Sequence, residues 1–242
     1  NSFIYDVEQD GNGYWIATST MGMYSTLLGR PFYPEGPADN TAFRMRAYGD
    51  RLYVVPGGRW AIENYRIGSI MIFEDDRWTN ISSYTLNQSF GLRPHDLMNV
   101  AQDPNDKEHY FVTSYCNGLL EMYGKEGVAL YTPDNSPLRS VVPHNPQRYT
   151  RTDGAMFDDQ GYLWVLNTAA AAGTKNVHVI DTKGKSMKWH SFNLAYNGDT
   201  VVLHTPGEIM IDNRNPQWKW IPLCRDNPGL ILLDDRGTPT NH

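Results

Sequence analysis

A polar turn between two short apolar strands, the second strand centred on an aromatic residue, recurs five times along this chain. "VEQDGNGYWIAT" is echoed by "RAYGDRLYVVPGG", "VAQDPNDKEHYFVTSYCNGLLEM", "GAMFDDQGYLWVLNT" and "IMIDNRNPQWKWIPL". Taking Trp15, Tyr53, Tyr110, Trp164 and Trp220 as equivalent gives spacings of 38, 57, 54 and 56 residues, as insertions in edge loops would produce. A self-similar period of roughly 40 to 55 residues is the mark of a propeller or solenoid.

Each copy continues into later strands: "MGMYST", "GSIMIFEDDRWTNI", "NGLLEMYGKEGVALYT", "NVHVIDTKGKSMKWHSF" and "PGLILLDDRGT". Gly124 and Gly127 flank a hairpin turn in the third copy, and "TKGK" repeats the plan in the fourth. About four strands per copy is the content of one propeller blade. A blade cannot bury both of its faces alone and packs against its neighbours, which makes the five repeated aromatics packing anchors. The expected fold is all-β, a β-propeller or part of one over 1–242, with about five four-stranded blades near 1–40, 41–90, 91–145, 146–200 and 201–242. Aromatics at 12% of residues, with 21 glycines and 15 prolines spread through the chain, suit such a turn-rich β architecture.

A formal net charge of -6 leaves no basic stripe to neutralise phosphates, so nucleic acid is not an expected partner. Cys116 and Cys224 are too few for a disulfide framework and lack zinc spacing, which leaves two thiols or one bridge. There is no apolar run of about eighteen residues, so no membrane span is expected in this sequence. The absence of an initiator Met and the polar ending "DDRGTPTNH" suggest a piece of a longer, multi-domain chain.

"DGNGYWIATSTMGMYS" and "DDQGYLWVLNT" resemble the two-component-regulator propeller repeat, whose units carry an acidic-glycine turn, a Leu-Trp-Ile-Gly-Thr-like strand and a Gly-Leu turn. "DPNDKEHYFVTSYCNGLLEMY" keeps the turn and the Gly-Leu pair but replaces Trp with Tyr110, and "DNRNPQWKWIPL" departs further. Such repeats occur in periplasmic sensor halves of hybrid two-component systems of Bacteroidetes-like bacteria and in a surface component of the type IX (Por) secretion machinery. "VTSYCNGLLEMYGKEGVALYTPDNSPL" and "PGLILLDDRGTPTNH" are more similar to the secretion component. The resemblance implies a non-catalytic scaffold in the periplasm or at the outer-membrane surface, binding envelope proteins or a glycan. A carbohydrate-sensing domain of a hybrid histidine kinase is the alternative of the same class. A propeller glycoside hydrolase or lyase is the alternative of a different one.

Catalytic or metal chemistry finds no pattern. Asp6, Glu8, Asp10 and Asn12 alternate like calcium ligands around Gly11, but Ala17 stands where a bidentate Glu is required. The seven histidines show no paired-ligand spacing, and neither a GxSxG elbow nor a phosphate loop is present, so no cofactor is expected. The acid pairs Asp75/Asp76, Asp158/Asp159 and Asp234/Asp235 read as solvated turns. Binding candidates lie in two insertions. Pro56 to Ser69, "PGGRWAIENYRIGS", carries Arg59, Trp60, Tyr65 and Arg66, a mixture of large aromatic area and planar donors suited to carbohydrate stacking or a protein hot spot. Thr132 to Gly154, with four prolines, carries Arg139, Arg148 and Arg151 as candidates for interblade or ligand contacts. "NTAAAAGTKN" reads as a small-residue spacer.

Overall fold

A computed structural model describes residues 3–19, 22–32, 35–60, 62–168, 174–184, 186–225 and 228–240; Ala169 to Gly173 of the small-residue spacer lie outside the described residues. The chain forms two compact units, 1–36 and 37–242.

The first unit is one antiparallel meander of β1 (Ile4–Asp10), β2 (Gly13–Thr18), β3 (Met23–Ser25) and β4 (Arg30–Phe32). The opening acidic turn closes on itself: the Trp15 indole N–H donates to Asp10 Oδ2 at 3.1 Å, and the ring meets Phe32 edge-on at 6.0 Å. Trp15 is half-buried and β1 is exposed along its whole length.

The second unit repeats the meander. One sheet holds β5 (Arg44–Tyr48), β6 (Arg51–Val55), β7 (Ile70–Glu74) and β8 (Arg77–Ile81). After a helix α1 (Ser83–Phe90) come β9 (Leu97–Asp103), β10 (Asp106–Ser114), β11 (Gly118–Tyr123) and β12 (Glu126–Tyr131). A short turn of helix, α2 (Pro146–Tyr149), leads to β13 (Thr152–Phe157), β14 (Tyr162–Asn167), β15 (Val177–Asp181) and β16 (Lys188–Phe192). The last part differs from the expected single four-stranded unit. A hairpin of β17 (Leu194–Tyr196) and β18 (Asp199–Val201) precedes a sheet of three strands, β19 (Met210–Ile211), β20 (Trp218–Leu223) and β21 (Gly229–Asp234). Asn197 and Gly198, at φ 51° and 90°, supply the left-handed residues that a two-residue hairpin turn needs.

The core lies between consecutive sheets. Tyr53, Val55, Ile70 and Ile72 meet Val100, Tyr110, Val112 and Met122 in a first cluster, joined by Leu86 of α1. Phe111, Ala101 and Leu119 meet Ala155, Leu163 and Val165 in a second. Trp164, Leu166 and Val179 meet Leu203, Ile209 and Ile221 in a third. Strand alternation divides these residues: Leu163 and Val165 face one neighbour, Trp164 and Leu166 the other. This is the all-β propeller architecture of antiparallel four-stranded sheets packed face to face.

The aromatic anchors do not all occupy one environment. Tyr53, Tyr110 and Trp164 are fully buried, whereas Trp220 is half-buried, with the exposed Met210 and Leu232 as its cross-strand neighbours. Tyr110 also corrects the expected equivalence. It faces the preceding sheet, 5.1 Å from the Tyr53 ring, while Trp164 faces the following one; Phe111 occupies the forward-facing position in its sheet. The cause is a register irregularity between Asp106 and Tyr110, where the pairing moves from Asp106 with Asp103 to Tyr110 with Gln102, because an odd shift reverses the face of every side chain after it.

The acidic turns are side-chain-capped. Asp103, Asp158, Asp212 and Asp234 each accept the backbone N–H two residues on, at 2.8, 3.0, 2.9 and 2.8 Å. Asp158 and Asp212 also take the indole N–H of Trp164 and Trp220, at 2.9 and 3.2 Å, as Asp10 takes that of Trp15. Asp235 is not the solvated turn residue its pairing with Asp234 suggested: it is buried and holds the ammonium of the equally buried Lys219, which lies 4.6 Å from the centre of the Trp164 ring.

Candidate functional site

In a meander the connections alternate between the two rims. The capped turns at Asp103, Asp158 and Asp212 join a first strand to a second, and the one at Asp234 follows a third strand, so all four fall on one rim; the second-to-third and sheet-to-sheet connections fall on the other. In the second unit that other rim gathers 56–69, 115–117, 132–151, 202–209 and the residues after Leu223.

The first of these loops turns on Gly57 and Gly58, at φ 59° and 137°; a Cβ at Gly58 would lie 2.2 Å from the Glu63 carbonyl oxygen. It is clamped by Asp96, a buried residue at φ 50° whose carboxylate accepts the N–H groups of Tyr65 and Arg66, both at 2.8 Å, and the Cys116 thiol at 3.2 Å. Burial raises the Asp96 carboxyl above its ordinary range against these three donors. Burial, with Asp96 beside it, likewise pushes the Cys116 thiol up, so this cysteine is an inert core thiol. Cys116 and Cys224 are both free, the first buried and the second exposed.

Held in this way, the loop delivers Arg59 to the centre of the unit. Its guanidinium donates to Asp153 Oδ2 and, at 3.0 Å, to Cys224 Sγ, from partners 94 and 165 residues away. Asp153 is fully buried in β13 and also faces Arg44 of β5 at 3.7 Å. Arg44 and Arg46 continue to Glu208, Arg44 at 3.4 Å, and Arg46 donates to Asn99 of β9 at 2.9 Å. Alternating charge therefore links β5 of the first sheet of this unit, through Asp153 of β13, to Glu208 in the connection that leads to β19 of the last. Burial raises the Asp153 carboxyl against the downward pull of Arg59, Arg44 and Arg46, and burial lowers the guanidinium of Arg44. At Arg59 burial acts downward too, but the adjacent Asp153 more than reverses it.

Above this floor the aromatic rings are covered by arginines. Trp60 has the guanidinium carbons of Arg59 and Arg225 at 5.7 and 5.2 Å from its ring centre. Arg151 lies 4.8 Å from Tyr115 and 5.6 Å from Tyr149, and Arg148 lies 5.4 Å from Tyr65. The Tyr65 hydroxyl donates to that of Tyr149 at 3.2 Å, and Trp60 meets Tyr115 edge-on at 6.4 Å. An open cavity of about 400 Å³ is lined by Trp60, Ile62, Cys224 and Arg225. A larger hollow of about 500 Å³ on the opposite rim has Arg51 at its base, already bound to Glu74 and Glu108 at 2.7 and 2.6 Å.

Of the residues nominated from sequence, Arg59, Trp60, Tyr65, Arg148 and Arg151 come together here. Arg66 straps its own loop, donating to the Pro56 carbonyl at 3.1 Å, and Arg139 stands apart, donating to the Leu138 carbonyl at 2.8 Å. Sequence reasoning missed Arg44, Arg46, Tyr115, Tyr149, Asp153, Glu208, Cys224 and Arg225. A signal existed for the strand residues: Arg44, Arg46 and Asp153 are charges inside first strands of the repeat, where the pattern calls for apolar residues. No group of three or more His, Cys, Asp or Glu suited to a metal ion occurs among the described residues.

No protein-family model matches the chain. No curated protein matches it. Among solved structures it is similar to PorZ, an essential bacterial surface component of the type IX secretion system of Porphyromonas gingivalis, with 27% identity and a TM-score of 0.76 over 98% of this chain. That alignment covers 32% of PorZ, so the chain spans about a third of that protein's length. The extracellular domain of the putative hybrid two-component system BT3049 of B. thetaiotaomicron aligns at 13% identity and TM-score 0.47, over 96% of this chain and 27% of that one. A luciferin-regenerating enzyme, 12% identical with TM-score 0.53 over 98% of this chain and 78% of its own, shares the fold. The resemblance to the propeller of the secretion component thus holds in structure as well as in motif. No helix among the described residues is long and apolar enough to cross a membrane.

Proposed function

We propose that this chain is a binding scaffold of the bacterial envelope, at the periplasmic side or the outer surface, and that it engages a protein or glycan through the arginine-aromatic rim. One observation carries the reading: Arg59, Trp60, Tyr65, Arg148 and Arg151, from two separate insertions, join Arg225 in one run of ring and guanidinium contacts, and Trp60 and Arg225 at one end of it line an open cavity. Buried salt bridges fix the floor, and the rim has the Trp, Tyr and Arg composition of an interaction hot spot. The similarity to PorZ supports the envelope setting.

The test is an array of glycans and envelope-derived peptides probed with the purified chain and with an Arg148→Ala, Arg225→Ala double variant, both positions being exposed. Ligands retained by the chain are expected to be lost by the variant. Equal retention by both would place binding elsewhere.

A further inference from the structure

Resting on that reading of the rim, we infer that its ligand is an acidic polypeptide segment, with a Glu or Asp side chain next to an apolar one, rather than a sugar ring stacked on an aromatic. A sugar needs a bare aromatic face. Every ring of the cluster instead carries a guanidinium: Arg59 and Arg225 on Trp60, Arg148 on Tyr65, and Arg151 on both Tyr115 and Tyr149. Arg59 spends its donors on Asp153 and Cys224, but Arg148 and Arg225 are exposed, and a guanidinium fork open to solvent matches a carboxylate in two-point contact.

The charges divide in the same sense. In the floor, Asp153 and Glu208 are engaged by Arg44, Arg46 and Arg59. Arg148, Arg151 and Arg225 have no carboxylate within ion-pair distance among the described residues. Three arginines on one rim, with no carboxylate partner among the described residues, favour an anionic ligand although the chain carries a net charge of -6. The apolar requirement comes from Ile62, 98% exposed at the lip of the cavity beside Trp60 and Cys224. A flat exposed isoleucine next to an arginine fork complements a short apolar side chain flanked by carboxylates, a combination that polypeptides offer and saccharides lack.

Calorimetric titrations with four probes test the inference: an acetylated, amidated peptide alternating Glu with Ala and Leu, its Gln counterpart, an oligogalacturonate, and maltohexaose. The Glu peptide is expected to bind at least about tenfold more tightly than the Gln peptide, as loss of a charge-assisted contact implies. Arg225→Ala is expected to remove about tenfold of that affinity, and added salt to weaken it further. An unchanged melting profile of this variant certifies its fold. If oligogalacturonate binds with the same sensitivity to Arg225→Ala while the Glu peptide gains nothing over the Gln peptide, the peptide inference fails and the binding rim stands. Binding of the Glu peptide that is indifferent to Arg225→Ala and Arg148→Ala also overturns it, and no binding by any probe counts against both readings.

Discussion

Mild acid should weaken the second unit through a single histidine. His178 in β15 is fully buried; its Nδ1 lies 2.8 Å from the Ser191 hydroxyl, and its Nε2 has no hydrogen-bond partner among the described residues. Burial, and secondarily the positive charges of Arg139 and Lys175, lower its pKa to about 3. An unfolded chain would protonate this ring near the ordinary value of about 6.5. The unfolded state therefore binds the proton first: the stability conferred by a neutral buried ring is complete above about 6.5 and is lost as pH falls from there toward about 3. Linkage gives a loss of about 2 kcal/mol between about pH 8 and pH 5, and about 5 kcal/mol in the acid limit. Urea midpoints measured at both pH values read this directly. In His178→Asn the cavity cost is the same at every pH, so it cancels in the difference, and the acid sensitivity is expected to shrink by about 2 kcal/mol. The reasoning is refuted if chain and variant lose equal stability on acidification, or if nitrogen-15 spectra show His178 titrating near about 6.5.

Three further outcomes are expected. His109 carries the opposite sign: the Glu121 carboxylate at 2.9 Å, against burial and aided by Asp103 at 3.1 Å, raises its pKa. Its stabilisation is complete below about 6.5 and lost as pH rises through the raised value, so His109→Gln should flatten the stability profile on the alkaline side of that point. Lys219→Ala leaves Asp235 buried without its partner and should cost about 3–5 kcal/mol in denaturant melts, whereas Lys219→Met with Asp235→Leu should recover most of the loss. Arg59→Ala takes the hydrogen-bonded partner from the fully buried Asp153, leaving it Arg44 at 3.7 Å, and should cost about 3 kcal/mol, while Arg225→Ala on the exposed rim should shift stability by less than about 0.5 kcal/mol. Denaturation of this pair separates the floor of the site from its rim.

How much of this was legible depended on the range of the interaction. The acidic turn and the aromatic strand stand five to eight residues apart, as in Asp10 with Trp15 and Asp212 with Trp220, and local chemistry of that kind shows in a single sequence. Asn197-Gly198 was equally local and still went unread, because a hairpin outside the repeat frame was absorbed into the end of a unit. Tyr110 misled for a subtler reason: an irregular register moves an aromatic to the opposite face without changing composition. The eight-residue α1 hid in a connection, although Ser82 caps its start and Gly91 its end, at φ 69°. Beyond reach were the joins of Arg59 to Asp153 and Cys224, which depend on how whole sheets stack.

The repeat itself explains why the long connections collect on one rim. An even number of strands per sheet returns the chain to the same rim at every sheet-to-sheet connection, so the strand order alone sorts loops into two sets. On one rim the aspartate must accept a backbone N–H two residues on, and in three sheets an indole N–H as well, which fixes both the length and the composition of the turn. An insertion there would break the hydrogen bond that ties the turn to its anchor. On the other rim no such tie recurs, and connections range from the three residues between Ser114 and Gly118 to the twenty between Tyr131 and Thr152. From that side the long loop after β6 brings Arg59 to Asp153. The geometry that makes the acidic turns a good signature of the fold leaves their length and composition little room to vary.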